Sequence, residues 1–239
     1  ILSLPVNESI WGLLIVLFIA MVVVSQFMLT FGSDPNAKVT KKSKSPLSFH
    51  PIALIFGLLS FVSYLVEGAV GDWSALYLFE DKGIVIEEAV MGVMLFNGTM
   101  CIGRLLGNRL GKHLTSKQVV VGGYLLGSIA MGLIVFLPGH ASMYTYLLLG
   151  ISLAMIVPNL FSAMGEQNVI PMTQAVATST MLGYMGILMG PALIGFIAHG
   201  TSLTVAFIVL TTLLVVSAGI GKYAYHLMSK DCGLSEEQI

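Results

Sequence analysis
The sequence predicts an all-α, polytopic membrane protein with seven transmembrane helices, one followed by a six-helix half bundle. Three observations carry this. The 239 residues are 56% hydrophobic and only 10% charged, with a mean hydropathy of +0.92, whereas a soluble domain carries about a quarter charged residues. Seven apolar segments are long enough to cross a bilayer, which takes roughly 20 residues in a helix. The basic residues also fall in connections that would share one side. Composition excludes several classes. The net charge of −1 offers no basic excess for nucleic acid. The two cysteines, Cys101 and Cys232, have neither disulfide nor metal-ligand spacing. No cofactor is expected.

The elements follow in order. The first apolar segment runs from about Ile10 to Phe31. Glu8 precedes it, with no basic n-region, and the segment is too long for a signal peptide. The chain begins at Ile1, which suggests a fragment or a processed product. Residues 1–31 are read as the last transmembrane helix of an N-terminal half. From Gly32 the composition turns polar, with Asp34-Pro35-Asn36, four lysines and three prolines by Pro51. This reads as a linker, residues 32–50. Residues 51–229 then hold six segments, roughly Ile52–Phe79, Ala89–Leu106, Gln118–Leu137, Met143–Met164, Ala175–Ala198 and Leu203–Tyr223. Residues 230–239 form a tail. Lipid offers backbone groups no partner, so each span should be a helix. The alternating ten-residue pattern of a β-barrel is missing.

Ten of the eleven Lys and Arg residues lie in the linker, in the connection around Arg104–Lys117, or near the C-terminus at Lys222 and Lys230. Lys82 is the exception, among Glu80, Asp81, Glu87 and Glu88. The positive-inside rule places linker and C-terminus in the cytoplasm of a multi-pass inner-membrane protein.

The stretch Gly103-Arg104-Leu105-Leu106-Gly107-Asn108-Arg109-Leu110-Gly111-Lys112-His113 carries the class. Glycines allow tight turns and close helix approach, and basic side chains anchor a loop at an anionic leaflet. The stretch resembles the cytoplasmic loop motif of the major facilitator superfamily. Asn108 stands where that family has Asp, followed by Arg109, Gly111 and Lys112, and Arg104 stands where its first glycine would be. Gly107, Asn108, Arg109, Gly111 and Lys112 are therefore the expected gating loop, with a charge missing at Asn108. The stretch Glu67–Ser74 resembles the seventh helix of a bacterial branch related to sugar-proton symporters. The resemblance implies a secondary active transporter moving a small solute, sugar-like or otherwise polar, by alternating access with proton coupling. It also implies that the partners are that solute, membrane lipid and a missing N-terminal half. The alternative is a non-transporting, receptor-like or scaffolding seven-helix protein. An enzyme is not expected, because no His-Glu-x-x-His, Gly-x-Ser-x-Gly or aspartate dyad occurs.

Glu67 is the most informative residue. A carboxylate within a span is costly and marks function by default. It is read either as the proton-coupling or substrate group or as an interhelical hydrogen-bonding group, with no basic partner evident in any span. Asn97 and Asn159, and then Tyr64 and Tyr184, are candidates to present polar groups to a solute, against the plainer reading of interhelical hydrogen bonds. Asp72 and Trp73 are assigned to the outer mouth, with Trp73 and Tyr77 in an interfacial aromatic belt. Pro158 should interrupt its helix and free carbonyls. Glu166 and Gln167 are expected to be solvated. Gly123-x-x-x-Gly127 and Gly186-x-x-x-Gly190 place small residues along single helix faces.

Overall fold
A computed structural model describes residue 47 and residues 49–110, 114–167 and 169–232, with the backbone alone for 108–110 and 232. Before them, Ile15, Phe18, Ile19 and Val22 are helical. The chain divides into two units, Ile1–Lys44 and Ser45–Ile239. The expected first helix, those four positions apart, and the expected linker, apart from Leu47, Phe49 and His50, lie outside the described residues.

The second unit is helical throughout its described length, and its helices are labelled in chain order. These are α1 (Pro51–Glu80), α2 (Ile86–Leu110), α3 (Ser116–Phe136), α4 (Gly139–Tyr144), α5 (Tyr146–Leu153), α6 (Ile156–Glu166), α7 (Met172–Gly200) and α8 (Leu203–Cys232). Helices α4, α5 and α6 run nearly end to end as one span, Gly139–Glu166. Six spans long and apolar enough to cross a membrane result, so the chain is a multi-pass membrane protein. The six spans predicted after the linker all occur, each longer than hydropathy alone suggests. Helix α2 continues to Leu110 and α8 to Cys232, because a helix does not end where its residues become polar. Arg104, read at the junction of the span and its connection, therefore lies well inside α2.

The helix ends follow local chemistry. Pro51 opens α1, and the His50 imidazole accepts from the Ile52 amide at 3.4 Å, since the first turn has spare donors. Thr115 and Gln118 form a reciprocal capping box on α3, at 3.3 and 3.0 Å. Gly83 turns the chain between α1 and α2 with φ of 68°, a conformation that suits glycine. Lys82, in the same turn, donates to the carbonyls of Val135 and Leu137 at 2.6 and 2.9 Å, closing the end of α3.

Packing centres on two helix pairs, α1 with α7 and α3 with α8. The α1–α7 seam is made by glycine. A Cβ on Gly190 would stand 2.6 Å from the Leu65 carbonyl, one on Gly186 would collide with the Phe61 carbonyl, and one on Gly183 would meet the Tyr64 ring at 2.7 Å. Gly123 and Gly127 likewise admit α5 and α6, a Cβ on Gly123 lying 2.8 Å from the Ser152 carbonyl. Both predicted small-residue faces are thus contact faces. The wholly buried core runs through Phe56, Tyr124, Tyr146, Phe207 and Tyr225.

Two expectations are corrected. Tyr77 is not in an aromatic belt: it is fully buried and stacks on Phe207 with ring centroids 4.2 Å apart. Gln167 is not solvated but 4% exposed. Its amide nitrogen donates to the Met164 and Ile170 carbonyls, and its amide oxygen accepts from the Val169 and Ile170 amides. One side chain thereby satisfies the turn between α6 and α7, a role that residue type alone does not reveal.

Candidate functional site: an intramembrane ion pair on an aromatic wall
Glu67 lies midway along α1, on a face with Tyr64 one turn before it and Gly68 and Gly71 beyond. Its carboxylate is 12% exposed and faces the Arg104 guanidinium of α2, whose Nη2 lies 3.4 Å from Oε1 and 3.3 Å from Oε2. The expectation that no span offers Glu67 a basic partner is therefore overturned. The partner is an arginine near the end of a span, and a long side chain reaches back along its helix. Arg104 is 44% exposed, so the pair is open on one side.

Two prolines leave backbone acceptors in this layer. Pro158 lacks the N–H that would bond the Ala154 carbonyl, and Pro191 the one that would bond the Ile187 carbonyl. At the first, helicity lapses over Ala154 and Met155, and Arg104 Nε donates to the Ala154 carbonyl at 3.4 Å. At the second, α7 continues unbroken around Pro191. There the Ile187 carbonyl lies 3.0 Å from where a Gly68 side chain would begin, so glycine at 68 is what lets the strands of backbone meet.

Tyr64 stacks on Tyr184 of α7, centroids 6.0 Å apart and planes within 5°. Tyr184 is 59% exposed. Tyr64, Glu67, Arg104 and Tyr184 thus form one polar-aromatic wall. Asn97 is exposed, seven residues before Arg104 and so on the same face of α2, about 10 Å along the axis. Its amide donates to its own helix, at the Val93 carbonyl, 3.0 Å.

Asn159 is placed elsewhere. Its amide donates to the Met155 carbonyl at 2.8 Å, and its oxygen accepts from the Ser116 hydroxyl at 3.3 Å, tying α6 to the start of α3. It lines an apolar cavity of about 350 Å³ with Gly107, Gly123 and Met155. Gly107 packs directly on Met155. The side chains of Asn108 and Arg109, and the whole of Gly111 and Lys112, lie outside the described residues, so the gating loop is not described. Asp72 is exposed on α1. Trp73 packs over Gly195 and donates from Nε1 to the Pro191 carbonyl at 3.0 Å. It lines a cavity of about 520 Å³ with Glu80, Asp81 and His199 at the acidic end of the bundle. Among the described residues no group of three or more His, Cys, Asp or Glu could hold a metal.

Arg104 is the site residue that sequence reasoning missed. The signal was present: it falls within the predicted span Ala89–Leu106, within reach of the Glu67 level on an adjacent antiparallel span.

No family model matches the chain. Over 168 residues it is 41% identical to a protein of Yersinia pestis described as an MFS-type transporter, covering 69% of this chain and 43% of that one. It is 30% identical over 170 residues to the membrane protein MosC of Rhizobium meliloti, covering 70% and 42%. The fold matches the crystal structure of the E. coli fucose:proton symporter with a TM-score of 0.64 at 16% identity, over 73% of this chain and 43% of that one. The chain thus spans less than half the length of the relatives it matches.

Proposed function
We propose, from the kinship of this chain with the major facilitator superfamily transporters in sequence and in fold, that it supplies the C-terminal six-helix half of a secondary transporter. Residues 51–229 form that half, residues 1–31 the last helix of the other half, and residues 32–50 the cytoplasmic linker between them. The two halves rock about a central site and expose it to each side in turn. The bundle sits in the inner membrane with its basic end in the cytoplasm.

The observation that carries the site is the Glu67–Arg104 pair on the open wall with Tyr64 and Tyr184. An ion pair within a span is costly to insert and needs a reason to be there. Left half open, it can exchange its internal contact for a proton and a solute. Protonated Glu67 no longer holds Arg104, which then turns its donors to the solute. The parallel tyrosine rings offer a flat apolar face with polar edges, suited to a small sugar-like ring, and Asn97 adds an amide further along α2. Asp72 and Trp73 belong to the outer mouth, and the segment from Gly107 through Lys112 to the inner gate.

The test is accumulation by the full-length protein in proteoliposomes under an imposed pH gradient, across a panel of sugars and amphiphiles. Glu67→Gln should abolish gradient-driven accumulation yet leave solute exchange at equal pH. Accumulation retained by Glu67→Gln removes proton coupling from this residue.

A further inference from the structure
Arg104 is held at two places, and the second exists because of a residue on another span. Its Nη2 faces Glu67, while its Nε donates to the Ala154 carbonyl. In an uninterrupted helix that carbonyl would accept from the amide of residue 158. Residue 158 is proline, which has no amide hydrogen. Ala154 is fully buried, so water does not make up the loss, and a buried carbonyl without a donor is strongly disfavoured. The chain also brings α2 close at this level: a side chain on Gly103 would begin 2.6 Å from the Ala154 Cβ. Gly103 admits the Gly139–Glu166 span, and Arg104, the next residue, delivers the donor.

We propose that Pro158 is a positioning residue for the Glu67–Arg104 pair, acting through the Ala154 carbonyl that it leaves free. It touches neither partner. With Nε fastened to the break in the Gly139–Glu166 span, the guanidinium plane is fixed and its Nη2 is aimed at Glu67. A donor at position 158 competes for the same carbonyl and releases the near edge of Arg104. The break between α5 and α6 is thereby linked to the ion pair between α1 and α2, and a movement of α5 or α6 changes the aim of Arg104. Asn159 supports the arrangement from the other side, since its main-chain and side-chain nitrogens both donate to the Met155 carbonyl, at 3.2 and 2.8 Å. The functional weight of this link rests on the coupling role given to the pair above, but its test does not.

The experiment compares three forms of the full-length protein in detergent: the natural chain, Pro158→Ala, and a chain with lactic acid at position 158. Alanine and lactic acid differ in one respect that matters, the N–H. Arg104→Gln is introduced into each, and the loss of melting temperature it causes is read. The expected result is a clear loss in the natural chain, a similar loss with lactic acid, and a loss about half as large or less with Pro158→Ala, because coupled groups are not additive. Equal losses in all three forms overturn the proposal, as does no loss in the natural chain. Melting needs no transported solute. Failure of Glu67 in the uptake assay with the cycle intact would thus reject the coupling role and keep the positioning role.

Discussion

At the scale of single residues, the informative side chains are the polar ones that found partners across the bundle. Lys82 is an instance. It is the one basic residue at the acidic end of the bundle among the described residues, and it is used as a cap: two carbonyls at the end of α3 accept from it, and the Tyr77 ring lies 5.4 Å beneath it. Burial pulls its ammonium below the ordinary lysine range, with Asp81 pulling the other way. The sign follows. The unfolded chain keeps the lysine proton to higher pH than the fold does, so between the lowered value and the ordinary one stability rises with pH. Lys82→Met should cost about 1 kcal/mol at neutral pH through the lost hydrogen bonds and remove that alkaline rise. Melting curves of both proteins in detergent from about pH 7 to pH 10, across the lysine range, read both effects; an unchanged slope contradicts the assignment. Sequence reasoning finds Glu67 by its cost in lipid but misses Arg104, because a basic residue near a span end reads as an anchor of the connection rather than as a partner within the bundle. It also misjudges Gln167, whose four hydrogen bonds close a turn within the chain. Which groups a long side chain reaches is decided by packing, and packing is not written in local composition.

At the scale of elements, hydropathy located all six described spans because lipid imposes one rule on every helix. The same rule made the glycines ambiguous, since small residues recur in spans whether or not they touch. The seam between α1 and α7 resolves this. Gly190→Ala should lower stability by about 1–3 kcal/mol, the cost of overpacking, because its new methyl would meet the Leu65 carbonyl, which cannot rotate away. Gly219→Ala, with open space around its Cβ, should be neutral or stabilise by up to about 1 kcal/mol through helix propensity. Thermal melts of the two variants side by side decide the matter; equal shifts would mean the seam does not bear the packing. Pro158 and Pro191 repeat the lesson in another form. Pro158 interrupts its helix and Pro191 does not, because only the surroundings decide whether a freed carbonyl finds another donor.

At the scale of the whole molecule, the sidedness of the charges predicts topology. Single cysteines at Lys41 and Lys222 should react with an impermeant thiol reagent from one side of sealed vesicles, and a cysteine at Glu87 from the other, in a background with Cys101 and Cys232 replaced. Reaction of the first two from opposite sides would break the inside-positive arrangement. The overall plan was readable from charge placement and the Gly103–His113 stretch together, since each constrains the other. The wall of the candidate site was only partly readable: Tyr64, Glu67 and Tyr184 were named, and the structure gathers them with Arg104, while Asn159 belongs to a different layer.

The glycine seam has a mechanical corollary. Two rods meshed at Gly183, against the Tyr64 ring, and at Gly186 and Gly190, against main-chain carbonyls, are geared together, and neither can roll without driving the other. Tyr64 and Glu67 ride on one rod and Tyr184 on its mate, so the wall they form turns as a single panel. In the transport cycle proposed above, such a panel would grip or release its solute with both helices in the same stroke.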